Sequence, residues 1–352
     1  MTAIPLAAYM RRHGRRMGLA RALLSGAAGA AVAAAGGQLR VFPLFIIGLV
    51  IFGSAQAATL QQRYVAADLA EPAAQGRAIA AIVWIGALGA VFGPLLAPFE
   101  KRVARGLGLE PLVGPFLFAV LLLALAATVV WVRLRPDPLA VIGGIDPHAE
   151  RVRVLRRVRT SIVVIRQSPG AQLGIVAMAV SQGVMVGVMT MTPPHMKDHD
   201  HADLSAFVIA LHILGMYGFA PLIGRYVDRI GATRAIQIGA VVLGTGTIST
   251  VMAGYVPALM FAGLFLVGLG WSVALIGGSS LLSRSVPVAA RVEVQGTSDL
   301  AMSLCGATAA FGSGFVKQSY GFYLLADAAT VMAAGLLAYA WFTAARARLA
   351  PS

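Results

Sequence analysis

Ten stretches of about twenty apolar residues recur along this chain, and that is the length a helix needs to cross a bilayer's hydrocarbon core. They lie at 17–36, 41–60, 78–98, 113–133, 171–192, 205–224, 235–255, 258–282, 295–316 and 321–344. No water reaches such segments in lipid, so each backbone must satisfy its own hydrogen bonds, and a helix does this residue by residue. Of 352 residues, 58% are apolar and only 12% are charged. Soluble domains run to about 45–50% and about 25%, and a core of this size cannot hide the surplus. The expected fold is an all-α polytopic membrane protein. Runs such as "LLSGAAGAAVAAAGG" at 23–37 are rich in small residues, which let helices approach closely in lipid.

A formal net charge of +14 would suit nucleic acid if it sat on a polar domain, and no such domain is visible. The charge follows topology instead. With the N-terminus inside, all but six of the 28 Lys and Arg residues fall on the inner side; the six are Arg40, Lys101, Arg102, Arg105, Lys197 and Lys317. The positive-inside rule then puts both termini in the cytoplasm, and the chain is expected in the cell's inner (plasma) membrane. "EKRVARG" at 100–106 is the local exception. The longest polar interval runs from Pro- and Gly-containing sequence into a basic amphipathic helix. It divides the chain into a four-helix bundle at 1–135, a cytoplasmic linker at 136–170 and a six-helix bundle at 171–352. The linker arginines are expected against anionic lipid headgroups. The single cysteine, Cys305, excludes an intrachain disulfide.

The two halves resemble each other. A shift of 217 residues lays "YMRRHG" (9–14) on "YVDRIG" (226–231), and carries Gly29 and Gly37 onto Gly246 and Gly254. A shift of 220 carries Gln75-Gly76 onto Gln295-Gly296 and Gly86 onto Gly306. Related bundles with a substrate path between them are a common transporter design. By these shifts the first bundle is two helices short of the second.

The dense polar stretch "GRYVDRIGATR" (224–234) resembles the cytoplasmic loop signature of the major facilitator superfamily, with Gly224, Asp228, Arg229, Gly231 and Arg234 at its defining positions. "RYVAADLAEPAAQGRA" (63–78) is similar to that family's passage from the fourth helix to the fifth. Gly89, Gly93 and Pro94 in "GALGAVFGPLLAP" resemble its glycine-proline element associated with proton-coupled antiporters. The resemblance spans essentially the whole chain, whose ten helices stand for the third to twelfth of twelve, in two pseudo-symmetric bundles. It implies that Asp228 helps hold the bundles together on the cytoplasmic side. Pseudo-symmetry puts its partner around Gln75, Gly76 and Arg77. In the first half, Arg11 stands where the repeat places Asp228.

Asp228 is expected in a tight charged turn, beside Arg225, Arg229 or Arg234. The spacing of Gly89 and Gly93 offers a smooth helix face, either a leak-resistant seam or simple close packing, with Pro94 bending the helix. Polar residues inside spans are the candidates for substrate or proton binding: Gln56, Gln182, His212, Asp299 and Asp327. For His212 a backbone-bonded packed histidine competes with a proton-exchange role, and for Asp327 simple access to water does. Asp299 is expected to pair with a loop arginine such as Arg291. "HMKDHDH" (195–201) reads as an external polar loop without metal-site spacing. No catalytic or phosphate-binding motif is present, so the chain is not read as an enzyme, and no cofactor, metal or nucleic acid is called for. The expected function is secondary active transport by alternating access, a monomer exporting a small organic compound or drug in exchange for protons. The alternative is a truncated, non-transporting membrane bundle.

Overall fold

In a computed structural model the chain is described over residues 2–148, 154–198, 204–253 and 256–349. Among these residues there are helices and no strands. The principal helices are α1 (Ala3–His13), α2 (Arg15–Gln38), α3 (Phe42–Leu69), α4 (Gln75–Gly106), α5 (Gly114–Arg133), the one-turn α6 (Pro138–Val141) and α7 (Val154–Gln167). They are followed by α8 (Pro169–Asp198), α9 (Ser205–Ile213), α10 (Ala220–Ile230), α11 (Ala232–Met252), α12 (Pro257–Ser285) and α13 (Val288–Leu349).

Among the described residues, eight helical segments are long and apolar enough to cross a membrane. A ninth span is bent: α9 runs into a π-helical turn at Leu214–Gly218 and then, at 41°, into α10. The long α13 is two helices joined at Gly321, whose φ of 87° and ψ of 168° are not helical. Laid straight at 1.5 Å per residue it would measure about 90 Å, three times the hydrocarbon thickness of about 30 Å. Gly321 therefore divides α13 into two helices. Before the first expected crossing comes α1, in sequence that reads as a charged tail.

Helix content also extends through the polar loops. "GRYVDRIGATR" is not a turn: α10 continues to Ile230, Gly231 alone breaks the path, and α11 begins at Ala232. Gly231 has φ 89° and ψ 147°, and Gly14, between α1 and α2, has φ 90° and ψ 167°. Side chains rarely tolerate positive φ, so glycine is the natural residue at both corners. These are the glycines that the 217-residue shift superposes. "HMKDHDH" is likewise not all loop, because α8 runs through Pro193 and Pro194 to Asp198. His195 is buried there and stacks on Phe322, with ring centroids 4.3 Å apart. Residues 199–201 lie outside the described residues, as does Gly254 of the repeat.

The contacts divide the chain into two compact units. Unit 1 comprises 1–69, 88–162 and 287–299; unit 2 comprises 70–87, 163–286 and 300–352. In unit 1, α2 and α3 pack backbone against backbone. A Cβ on Gly29 would sit 2.7 Å from the carbonyl carbon of Ile51, and one on Gly26 would sit 2.5 Å from Cβ of Ala55. In unit 2, α11 and α12 do the same: a Cβ on Gly246 would sit 2.6 Å from the amide nitrogen of Val267. Gly29 and Gly246 are another pair related by the repeat. Without a hydrophobic drive between helices in lipid, such close approach is what supplies attraction. Around it, Ala3, Leu6, Met10, Leu19 and Val292 form a core in unit 1, and Leu173, Ile236 and Leu336 form one in unit 2.

Candidate functional site

In unit 2, the end of α10 lies on the start of α4. A Cβ on Gly224 would meet Cβ of Ala80 at 2.5 Å and the carbonyl oxygen of Gly76 at 2.7 Å, so only small residues permit the approach. It brings Asp228 to the first turn of α4. The amides of Gly76 and Arg77 donate to its two carboxylate oxygens at 2.8 and 3.0 Å. Those amides have no partner within the helix, and the helix dipole favours an anion there. Arg77 Nε lies 3.3 Å and Arg284 Nη2 3.5 Å from the same carboxylate, whose side chain is 8% exposed. Arg284 Nε also donates to Gln75 Oε1 at 3.2 Å. The carboxylate thus bridges three helices, α10, α4 and α12. The expected residues around Gln75, Gly76 and Arg77 are its partners, but Arg225, Arg229 and Arg234 are not. All three are exposed, because the helix extends further than a turn would and carries them to other sides.

The matching corner of unit 1 is built differently. Arg15, the first residue of α2, is fully buried and donates to Asp68 at 2.8 Å, to Gln61 at 2.6 Å and to Gln295 at 2.6 Å. Gln61 in turn donates to Asp299 at 2.5 Å, and Arg63 Nη2 reaches the other oxygen of Asp299 at 2.6 Å. Arg291 stands 3.6 Å from Asp68. Asp299 therefore does not pair with Arg291, as expected from sequence, but with Arg63. Residues 291 and 299 are two turns apart on α13, and α3 brings Arg63 and Asp68 to the two levels. Isolated charges would be costly here, and the alternation of arginine, carboxylate and glutamine gives each charge an opposite partner, although among the described residues Asp68 Oδ1 accepts and Arg291 Nε donates no hydrogen bond.

The rim of that corner carries Arg11, with Glu293 at 3.1 Å and Asp146 at 3.3 Å. Arg157 of α7 also bonds Glu293. Asp137 accepts from the amides of Arg15 and Arg16 at 3.1 and 2.8 Å, capping α2 across Gly14. Sequence reading did not single out Arg15, Gln61, Asp137 or Glu293, and it met Gln295 only as the repeat counterpart of Gln75, and Arg63 and Asp68 only within the family-like segment 63–78. Their one shared signal was polarity within or beside an apolar run.

The remaining candidates are scattered. Gln182 accepts a 2.8 Å bond from Trp271 Nε1. His212 is fully buried, with Nδ1 2.7 Å from the carbonyl oxygen of Leu264, the packed arrangement anticipated as one of its two readings. Gln56 and Asp327 are exposed and not joined to the other candidates. Among the described residues, a Cβ on Gly89 or Gly93 would meet nothing within 4 Å, so neither glycine is needed for a close helix contact. α4 continues through Pro94 to Gly106.

Fold and site together define a polytopic helical membrane protein with repeated helix–glycine–helix corners. The sequence matches the Major Facilitator Superfamily over residues 1–310 and 174–350, and the chain belongs to that family of transporters. It is 32% identical over 338 residues to an uncharacterized MFS-type transporter, YddS, of Bacillus subtilis (strain 168), covering 94% of this chain and 77% of that protein. The riboflavin transporter RfnT of Brucella anthropi is 28% identical over 323 residues, covering 90% of this chain and 77% of its own length. Among solved structures, the human organic anion transporter MFSD10 (TETRAN) superposes with a TM-score of 0.79 at 19% identity, covering 96% of this chain and 80% of that one. The E. coli fucose:proton symporter FucP gives 0.75 at 13% identity, covering 97% and 87%. At those identities the structures speak for the fold alone.

Proposed function

We propose that this chain is a secondary active transporter that moves a small organic compound by alternating access, with proton-coupled export as its mode. It would reside in the inner membrane with both termini in the cytoplasm. The observation that carries this reading is Asp228, held at the first turn of α4 by two backbone amides and flanked by two arginines. Charge-assisted bonds of this kind are worth about 1.5–3 kcal/mol. That is strong enough to favour one state and weak enough to break in each cycle. On this reading Gly224, Gly231, Gln75, Gly76, Arg77 and Arg284 serve the latch, and Arg229 and Arg234 serve topology. Export rests on the element around Gly89, Gly93 and Pro94, and is the finer part of the proposal.

Riboflavin, from the name of one relative, is the first compound to test. In proteoliposomes, flux of riboflavin is expected to respond to an imposed pH gradient and to fall several-fold in Asp228→Asn with insertion unchanged. Unchanged flux in that variant would remove Asp228 from the mechanism. Flux indifferent to the pH gradient would remove the proton.

A further inference from the structure

Three side chains of unit 2 meet within its spans: Gln182 of α8, Tyr217 of the π-helical turn and Trp271 of α12. Trp271 Nε1 donates to Gln182 Oε1 at 2.8 Å, and its ring meets Tyr217 edge to face, with centroids 5.9 Å apart and planes at 77°. The indole is satisfied by this arrangement, but the other two groups are not. Among the described residues neither the amide nitrogen of Gln182 nor the hydroxyl of Tyr217 has a hydrogen-bond partner, and neither atom is sealed from its surroundings. Donors left open at membrane depth are costly unless a bound molecule or water takes them.

Glycines border both open groups. A Cβ on Gly306 would lie 3.4 Å from Gln182 Nε2, and one on Gly86 would lie 3.7 Å from the Tyr217 ring. These are the two glycines that the 220-residue shift superposes. The π-helical turn at Leu214–Gly218 adds a residue to the path and so turns Tyr217 relative to a regular helix, a distortion common at functional positions. None of the three side chains carries a charge, so an ionic ligand group would be left uncompensated beside them.

We propose that Gln182, Tyr217 and Trp271 form a subsite for an uncharged aromatic heterocycle whose ring bears carbonyl acceptors. The two open donors take the carbonyls, and the tyrosine and indole rings supply edge and face contacts. The proposal rests on the reading of the chain as a carrier of small organic compounds, and gives that compound a chemical class.

Binding to the purified chain in detergent tests it independently of flux. The probes are riboflavin, lumichrome (the flavin ring without its ribityl chain) and ribitol (the chain without the ring), measured by equilibrium dialysis. Both flavins are expected to bind and ribitol is not. Tyr217→Phe and Gln182→Leu should each weaken flavin binding about five-fold, the ordinary worth of a hydrogen bond, and Trp271→Leu somewhat more. Gly306→Ala leaves all three side chains in place but adds a methyl in contact with the amide, on ground a bound molecule would use, and should also weaken binding, which guards against misfolding as the cause. The proposal is overturned if neither flavin binds, if ribitol binds as well as the flavins, or if Tyr217→Phe and Gln182→Leu bind flavin like the parent. Flavin flux without these losses would sink the subsite and leave the carrier standing. Flavin binding with these losses but without flux would do the reverse.

Discussion

The two glycine corners share one plan and spend their charge in opposite places. In unit 2 the corner is α10–Gly231–α11, with the start of α4 against it; in unit 1 it is α1–Gly14–α2, with the start of α13. Small residues make both contacts possible, Gly224 on Gly76 in one and Ala7 on Gly296 in the other. In unit 2 the charge is at the rim, where Asp228 caps α4. In unit 1 the same position is Arg11, which reaches across to Glu293, so acid and base have changed sides. The interior contrasts further. The 217- and 220-residue shifts place the buried Arg15 opposite Ala232 and the buried Asp299 opposite Ile79. Unit 1 has an ionic network where unit 2 has apolar packing. A repeat therefore preserves backbone geometry, which depends on glycine, more strictly than it preserves the chemistry of the contact.

The sharpest way to break this contrast is to remove one partner from the network of unit 1. Asp299→Ala removes the carboxylate opposite the buried Arg63, which keeps its bonds to the Leu60 carbonyl and the Tyr64 hydroxyl, and should destabilise the detergent-solubilised protein by about 3–5 kcal/mol, seen as a drop in thermal unfolding temperature. The double variant Arg63→Leu with Asp299→Leu should recover much of that loss, since unit 2 manages without such charges; no recovery would mean the network does more than balance itself.

Next in size are the corner glycines. Gly14→Ala and Gly231→Ala both meet the strain of positive φ, about 1–3 kcal/mol. At Gly14, however, the new Cβ would also fall 2.6 Å from the carboxyl carbon of Asp137, whereas at Gly231 it meets nothing within 4 Å. Unfolding should therefore show the Gly14 variant clearly less stable, and equal losses would mean that the Asp137 cap yields at no cost.

Smaller still is Asp228→Asn, which keeps an acceptor for one amide but loses the charge at a helix start, about 0.3–1 kcal/mol of dipole interaction plus the arginine contacts. Its effect should show in flux more than in stability. The smallest effect is at the rim of unit 1. Arg11→Gln leaves Glu293 still bonded to Arg157, and partly exposed pairs are worth about 0–1 kcal/mol. A stability loss as large as that of Asp299→Ala would show that the rim, and not the interior, holds that corner.

Spans were the most legible feature because length and apolarity are local properties. The Asp228 contact with Gly76 and Arg77 was expected too, but through the family resemblance and the pseudo-symmetry it implies rather than from any local pattern. Its arginine partners were misread: Arg225, Arg229 and Arg234 are neighbours in sequence, but helical geometry points them away, and Arg284 comes from 56 residues on. The network of unit 1 was hidden for a related reason. Arg63 meets Asp299 across 236 residues and Arg15 meets Gln295 across 280, so no local pattern announces either pair. Trp271 was invisible as the partner of Gln182 because a tryptophan in an apolar run looks like any other.

The sequence by itself determined that the chain crosses a membrane as helices and that its halves are related, with Gly14 and Gly231 at matching positions. Each of these follows from properties a residue carries with it: transfer energy and periodicity. Tertiary structure alone decided which charges neutralise which, that Asp299 answers Arg63, and that Gln182 and Tyr217 keep open donors beside Trp271. Those outcomes depend on distances between residues far apart in the chain, and only packing sets such distances.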